Sequence, residues 1–258
     1  MKSYQGYLID LDGTIYAGKT RIPTAEKFVQ ELVKLDFPFL ILTNNATSSP
    51  QQVAERLNLH YDIPVKANHV YTSVLALIDY LKLYHLNQSI HVVGEESFKQ
   101  MIVDAGFMLD QTRLAEVVVQ GLDRFSTYQT LNEAALAIRR GATFLTTNED
   151  HSIPTEDGFA PGSGAITAFL SFTTQVNPTI VGKPHHHIFD GAIQTLGFER
   201  DAILMIGDNY STDILGGIQA GVDTLHVQTG VTSKEALRQY SIQPTYTIKD
   251  LSYWSLPK

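Results

Sequence analysis

Four clusters of polar residues in this 258-residue chain carry side chains that could act together on a charged group. Asp10-Leu11-Asp12-Gly13-Thr14 sets two carboxylates one residue apart and follows them with a glycine and a hydroxyl. Thr43-Asn44-Asn45 offers a hydroxyl and two amides, and Lys183 stands between Gly182 and Pro184. Asp208-Asn209 adds a further carboxylate, with Asp213 beyond it. Carboxylates are hard oxygen ligands of the kind Mg²⁺ takes, one or two at a time, beside phosphate oxygens and water. An ammonium is a compact cation that can offset phosphoryl charge. The inventory therefore suits a phosphate group held with magnesium. Singly, each cluster has a plainer reading. Asp-Gly after an apolar run is a turn, Thr-Asn-Asn can cap a helix, and Gly-Lys-Pro alone signals nothing.

What gives the clusters weight is the elements that must position them. Residues 7–10 form a short apolar run stopped by Asp-Gly, which reads as a buried strand. Residues 24–35 carry Ala25, Phe28, Val29, Leu32 and Val33 at helical spacing, and residues 37–43 are again apolar up to Thr43. Runs at 179–181 and 203–206 repeat the pattern, ending at Gly182-Lys183-Pro184 and Gly207-Asp208-Asn209, and 223–227 and 246–248 read as further strands. Such alternation predicts a Rossmann-like, doubly wound α/β fold: a mostly parallel sheet with helices on both faces. In open parallel sheets the ligand lies at the carboxyl ends of the strands. All four clusters then fall on one edge.

The middle of the chain has a smaller alternation of its own, with strands at 90–93, 116–120 and 142–146 and helices at 95–105, 127–139 and 165–172. This predicts a catalytic core of residues 1–79 and 179–258, interrupted by a smaller α/β cap at 80–178. Net charge is −8, of which −6 lies between Asp79 and Thr179. That excludes nucleic acid as the main partner, since phosphate backbones demand basic surface. An anionic substrate must be met by a local constellation. The absence of cysteine excludes disulfide frameworks, thiolate metal sites and cysteine nucleophiles. No apolar run approaches the roughly 18 residues needed to span a bilayer, and the first residues lack the apolar stretch of a secretory signal. The expectation is a cytoplasmic protein with no membrane partner.

Asp10-Leu11-Asp12-Gly13-Thr14 resembles the first motif of the haloacid dehalogenase superfamily of phosphohydrolases. Thr43, Lys183 and Gly207-Asp208-Asn209 through Asp213 resemble its second, third and fourth motifs, in order and without departure. The insert, with Gly121-Leu122-Asp123-Arg124 and Pro161-Gly162-Ser163-Gly164-Ala165, is similar to the NagD-like branch, which includes nucleotidases and nitrophenylphosphatases. The resemblance spans nearly the whole chain. It implies Mg²⁺-dependent hydrolysis of small phosphate monoesters (nucleotide, sugar or other metabolite phosphates, nitrophenyl phosphate) through an aspartyl phosphate. It makes Asp10 the nucleophile and Asp12 the general acid and then base, with the Asp12 backbone carbonyl on the metal. Asp208 becomes a carboxylate ligand, Asp213 a ligand or a support behind one. Thr43 and Asn44 hold phosphoryl oxygens, and Lys183 offsets charge beside Asp10. The cap would act as a lid that selects the leaving group.

Rival readings share these residues. A phosphomutase would differ only in cap shape. A catalytically silent binding protein should lack one of Asp10, Asp12, Lys183 or Asp208, and all are present. Dehalogenation needs no acid for its leaving group, which makes Asp12 superfluous. Outside the core motifs, adjacent residues such as His185-His186-His187 point different ways on a helix, so the run reads as a surface or helix start. Pro161-Gly162-Ser163-Gly164 lacks the ending of a nucleotide P-loop and reads as a structural loop. Asn148, Glu149 and Asp150 follow a cap strand, where a polar turn and a leaving-group contact are equally good readings; Asn148 and Asp150 are the candidate substrate residues. The expected partner is a small phosphate monoester, and a homodimer stays open.

Overall fold

The computed structural model describes residues 2–155 and 158–256. The chain divides into two compact units, one of Met1–Thr43, Pro50–Tyr71 and Lys183–Lys258, the other of Asn44–Ser49 and Thr72–Gly182. Among the described residues no helix is long and apolar enough to cross a membrane.

The first unit is built on a six-stranded sheet in the order Tyr246–Ile248, Asp223–Val227, Ile203–Gly207, Gly6–Ile9, Phe39–Thr43, Val70–Thr72. The first five strands pair in parallel. Gly6–Ile9, Phe39–Thr43 and Ile203–Gly207 are buried along their whole length. Their unbroken apolar sequences follow from a sheet covered on both faces. The Pro23–Lys34 helix starts with a proline whose φ is preset for the first turn. It buries Ala25, Phe28, Val29 and Leu32 against Tyr7, Ile9, Ile41 and Ile206. Register then fixes the working edge. Ile9 lies opposite Ile41 on one side and Ile206 on the other, so Asp10, Thr43 and Asp208 stand at the carboxyl ends of three adjacent strands. Strand order also reverses at Gly6–Ile9, the switch point where parallel sheets place ligands.

The second unit has a five-stranded sheet in the order Thr179–Ile180, Thr143–Thr146, Val117–Gln120, Ser89–Val93, Met108–Leu109, with every pair parallel. Helices Ser73–Tyr84, Glu96–Asp104, Tyr128–Arg139 and Ser163–Thr174 accompany it. Its core packs Val93, Val118, Ala134, Ala137, Ile138, Phe144 and Leu170.

Two joins differ from the expected ones near 80 and 178. The Thr179–Ile180 strand, expected in the core sheet, pairs with Leu145 and Thr146 of the second sheet. Val181 N–H extends that pairing by donating to Thr146 O at 3.0 Å. The Ser73–Tyr84 helix, capped by the Thr72 hydroxyl, also belongs to the second unit, as does the short segment 44–49. Hydrogen bonds explain that segment. The Asn44 carbonyl accepts from Ser73 Oγ at 2.8 Å and Asn148 Nδ2 at 2.9 Å, and the Thr47 carbonyl accepts from Ser97 Oγ at 2.8 Å.

Gln120, fully buried at the end of its strand, knits the second unit together. Its Nε2 donates to Gly121 O and to Ser163 Oγ at 3.0 Å, and its Oε1 accepts from Thr146 Oγ1 at 2.6 Å and Thr167 Oγ1 at 2.5 Å. Cutting one member from a satisfied network leaves the others as unpaired buried polar groups. Gln120→Leu is expected to lower stability by about 1–3 kcal/mol in urea unfolding. A variant as stable as the parent would show that the network contributes nothing net.

Candidate active site

Asp10 continues the first strand, its N–H donating to Ile206 O at 2.8 Å. Its carboxylate is nearly buried. Oδ1 accepts from Lys183 Nζ at 2.5 Å, while Oδ2 is buried without a hydrogen-bond partner. The same ammonium pairs with Asp213 Oδ1 at 2.8 Å and donates to the Leu42 carbonyl at 2.8 Å. Asp213 Oδ2 accepts from Asn209 N–H at 3.1 Å, and its Oδ1 from Thr212 Oγ1 at 3.1 Å. Asp208 is fully buried, with Oδ1 accepting from Thr14 Oγ1 at 3.1 Å and Oδ2 from Val231 N–H at 2.6 Å.

Two glycines make this crowding feasible. Gly13 has φ of +96°, and a Cβ there would collide with the Asp208 carboxylate. A Cβ on Gly207 would collide with Asp213. Only hydrogen fits at either position.

Oxygens of Asp10, Asp208 and Asp213 lie within 4.8 Å of one another. Burial pushes the Asp10 carboxyl up to about 7; Lys183 opposes that shift and Asp208 adds to it. Burial and then Asp213 push Asp208 up to about 6, and burial and then Asp10 push Asp213 up to about 6. Burial works against the Lys183 charge, but Asp10 and Asp213 together outweigh it and raise its pKa. Three carboxylates thus gather around a single cation that pairs with two of them, Asp10 and Asp213. The surplus negative charge, the unpartnered Asp10 Oδ2 and the all-oxygen donor set fit a divalent metal of the Mg²⁺ type.

The remaining expected residues fall as follows. The Asp12 side chain is exposed on the loop after Asp10 and stands outside the carboxylate cluster; the ligand expected there is its backbone carbonyl. Thr43 is buried at the end of its strand. Asn44 groups with the second unit. The Asn148 side chain is engaged at both ends, its amide donating to Asn44 O and its Oδ1 accepting from Asp150 N–H at 3.1 Å. Those bonds are the polar turn. The Asp150 carbonyl likewise accepts from Gly164 N–H at 2.9 Å. His185 precedes the His186–Leu196 helix, and His186 pairs with Asp190 at 2.8 Å, a helix start as expected. Thr14 received no role from the sequence, although its hydroxyl was visible in the first motif. The Val231 N–H and the Leu42 carbonyl are backbone groups that no residue type announces.

A model described as haloacid dehalogenase-like hydrolase matches residues 7–108, and a second, HAD-hydrolase-like, matches residues 180–254. An acid sugar phosphatase of Staphylococcus epidermidis is 44% identical over 253 residues, covering 98% of this chain and 97% of that protein. The chain belongs to the haloacid dehalogenase-like hydrolase family. The hydrolase is also 42% identical over 254 residues to the 5'-nucleotidase YutF of Bacillus subtilis, covering 98% of each. Among solved structures, a single mutant of a thermostable NPPase from Geobacillus stearothermophilus matches with a TM-score of 0.92 and 45% identity over 100% of both chains. A p-nitrophenyl phosphatase from Archaeoglobus fulgidus matches with a TM-score of 0.90 and 30% identity over 97% of both.

The raised carboxyl values set a sign for metal binding. A carboxyl raised in the fold contributes stability that is present below its ordinary value and lost as pH rises through about 6–7 for these three groups. A divalent cation must displace those protons and relieves the repulsion they had masked. The rise in melting temperature on adding Mg²⁺ to the hydrolase should therefore be larger near pH 7.5 than near pH 5.5. An equal or reversed shift would remove these carboxylates from metal binding. Gly13→Ala should destabilise by more than about 1 kcal/mol and abolish the Mg²⁺-induced shift, because the new methyl displaces Asp208.

Proposed function

We propose that the hydrolase cleaves small phosphate monoesters through a phosphorylated Asp10, with Mg²⁺ held by Asp10, Asp208 and Asp213. The observation that carries this reading is the division of labour on Asp10: Lys183 holds Oδ1, and Oδ2 is buried with no partner of its own. An oriented, dry carboxylate beside a fixed ammonium is a nucleophile whose position is set before substrate arrives.

The Asp10 carboxylate attacks phosphorus, the ester P–O bond breaks, and its electron pair goes to the leaving oxygen, which takes the proton of Asp12. Water then attacks the phosphorus of the aspartyl phosphate and gives its proton to Asp12. The bond to Asp10 breaks, releasing inorganic phosphate and restoring the carboxylate. Bound Mg²⁺ would draw the Asp10 carboxylate and the phosphoryl oxygens together despite their like charge. Splitting one displacement into two easier steps is the gain from a carboxylate nucleophile. Lys183 offsets charge at Asp10, and the Thr43 hydroxyl with the N–H of Asn44, its neighbour in the chain, binds phosphoryl oxygens.

For substrate class, relatives bear the names acid sugar phosphatase, 5'-nucleotidase and p-nitrophenyl phosphatase. Small esters of these kinds also suit a chain of net charge −8, which disfavours polyanions. Asp10→Asn should lower turnover of p-nitrophenyl phosphate by about three orders of magnitude or more, with the fold confirmed by melting. Retention of a tenth of parental turnover would sink the aspartyl-phosphate route. Phosphate release across a panel of sugar, nucleotide and aryl monoesters would name the preferred leaving group.

A further inference from the structure

Asp12 is the one exposed residue of a short, otherwise buried loop between the first strand and a small hairpin, Tyr16–Ala17 with Thr20–Arg21. A general acid must be aimed, and nothing in residues 11–15 forms a regular element that could aim it. The loop is instead tied back onto Tyr16. Gly13 N–H donates to the Tyr16 carbonyl at 2.6 Å, and Tyr16 N–H and Ile15 N–H donate to the Leu11 carbonyl at 3.4 and 2.9 Å. Asp12 and Tyr16 are bridged residues. From the other side the Gly13 carbonyl accepts from Thr229 Oγ1 at 2.7 Å. Gly13, the residue following Asp12, is therefore held at both its N–H and its carbonyl.

The Tyr16 side chain anchors that arrangement. It is 4% exposed, and its ring stacks on Tyr61 with centroids 4.7 Å apart and planes 17° from parallel. The Tyr16 hydroxyl accepts from Arg56 Nη2 at 3.1 Å, and the guanidinium carbon lies 5.8 Å from the Tyr16 ring centre. Tyr61 closes the clamp by donating its hydroxyl to Gly18 O at 3.2 Å, across the hairpin. Arg56 Nε is buried with no hydrogen-bond partner. A buried, unpaired donor costs stability, so packing alone does not account for a guanidinium here; a methionine could fill the space without that cost. Burial raises the Tyr16 phenol first, and the Asp12 charge is the next cause, so ring and carboxylate are electrostatic neighbours.

We propose that Tyr16, clamped between Tyr61 and Arg56, is a positioning residue that aims the Asp12 carboxyl at the leaving oxygen. It rests on the reading of Asp12 as general acid given above. The test exploits what an acid is for. A p-nitrophenolate departs readily without a proton, whereas the alkoxide of an alkyl phosphate does not, so misaiming the acid hurts the alkyl ester selectively.

The experiment measures kcat/KM, which reports transfer to Asp10, for glycerol phosphate and for p-nitrophenyl phosphate with Mg²⁺ present. Asp12→Asn should lower the alkyl-to-aryl ratio by about 100-fold. Tyr16→Leu should lower it by about 10-fold, and Arg56→Met, which keeps the stacked rings, by about 3-fold. Equal loss on both esters, or none, in Tyr16→Leu and Arg56→Met would overturn the clamp and leave Tyr16 a packing residue. Should Tyr16→Leu fail to fold, Arg56→Met and Tyr16→Phe decide by the same ratio, and an unchanged ratio in both overturns the proposal. An unchanged ratio in Asp12→Asn overturns the acid role itself, and the clamp with it. A normal Asp12→Asn shift with silent clamp variants overturns the clamp alone.

Discussion

The ammonium of Lys183 is the point on which the first unit's chemistry turns. Burying a charge is costly unless it is paired and its protons are all met. Here the Asp10 and Asp213 carboxylates and the Leu42 carbonyl meet them. Those acceptors come from the residue after the Gly6–Ile9 strand, the helical turn Tyr210–Ile214 and the Phe39–Thr43 strand, so satisfying one cation obliges three separate segments of the first unit to converge. The same contact orients Asp10 and leaves its second oxygen buried without a hydrogen-bond partner. Structure and function draw here on one interaction, and the net negative charge left over is what a divalent cation would complete.

The two units bury polarity in different currencies. The first confines its charged groups to the carboxyl edge and keeps the sheet interior apolar, from Leu8 and Ile9 to Leu204 and Ile206. The second has no comparable charged cluster among its described residues. It buries instead a neutral network around Gln120, whose amide reaches the ends of two strands and the first turn of a helix. A neutral network avoids the desolvation cost of ions while still permitting only one arrangement of its members.

Much of this was legible in the residues. Long apolar strands ending in Asp10, Thr43 and Asp208 announce both the sheet and its working edge, because a buried parallel strand has no other way to be written. Less legible were features decided by partners rather than by composition. Two residues, Thr179 and Ile180, cannot reveal which of two parallel sheets they join; pairing with Leu145 and Thr146 does. The segment 44–49 looks like the end of a core strand until the Asn44 and Thr47 carbonyls find donors in the other unit. Asn148 reads equally as turn or contact, since residue type does not say whether an amide is engaged at both ends. Thr14 and Tyr16 sat in plain view beside Asp12, but their roles depend on residues such as Asp208 and Arg56 that lie far along the chain.

The strand pairing also bears on the order in which the protein can be completed as it leaves the ribosome. Gly6–Ile9 is made among the first residues, yet one of its two neighbours, Ile203–Gly207, emerges after the entire second unit has been synthesised. Phe39–Thr43 can join early, but the sheet cannot close, nor Lys183 reach Asp10, until the last third of the chain is available. The second unit needs nothing after Gly182 and can settle first. Long-range parallel pairing is slow and exposes apolar edges meanwhile. A nascent chain halted short of residue 203 would carry an apolar half-sheet beside a finished domain, the form of this protein most in need of a chaperone.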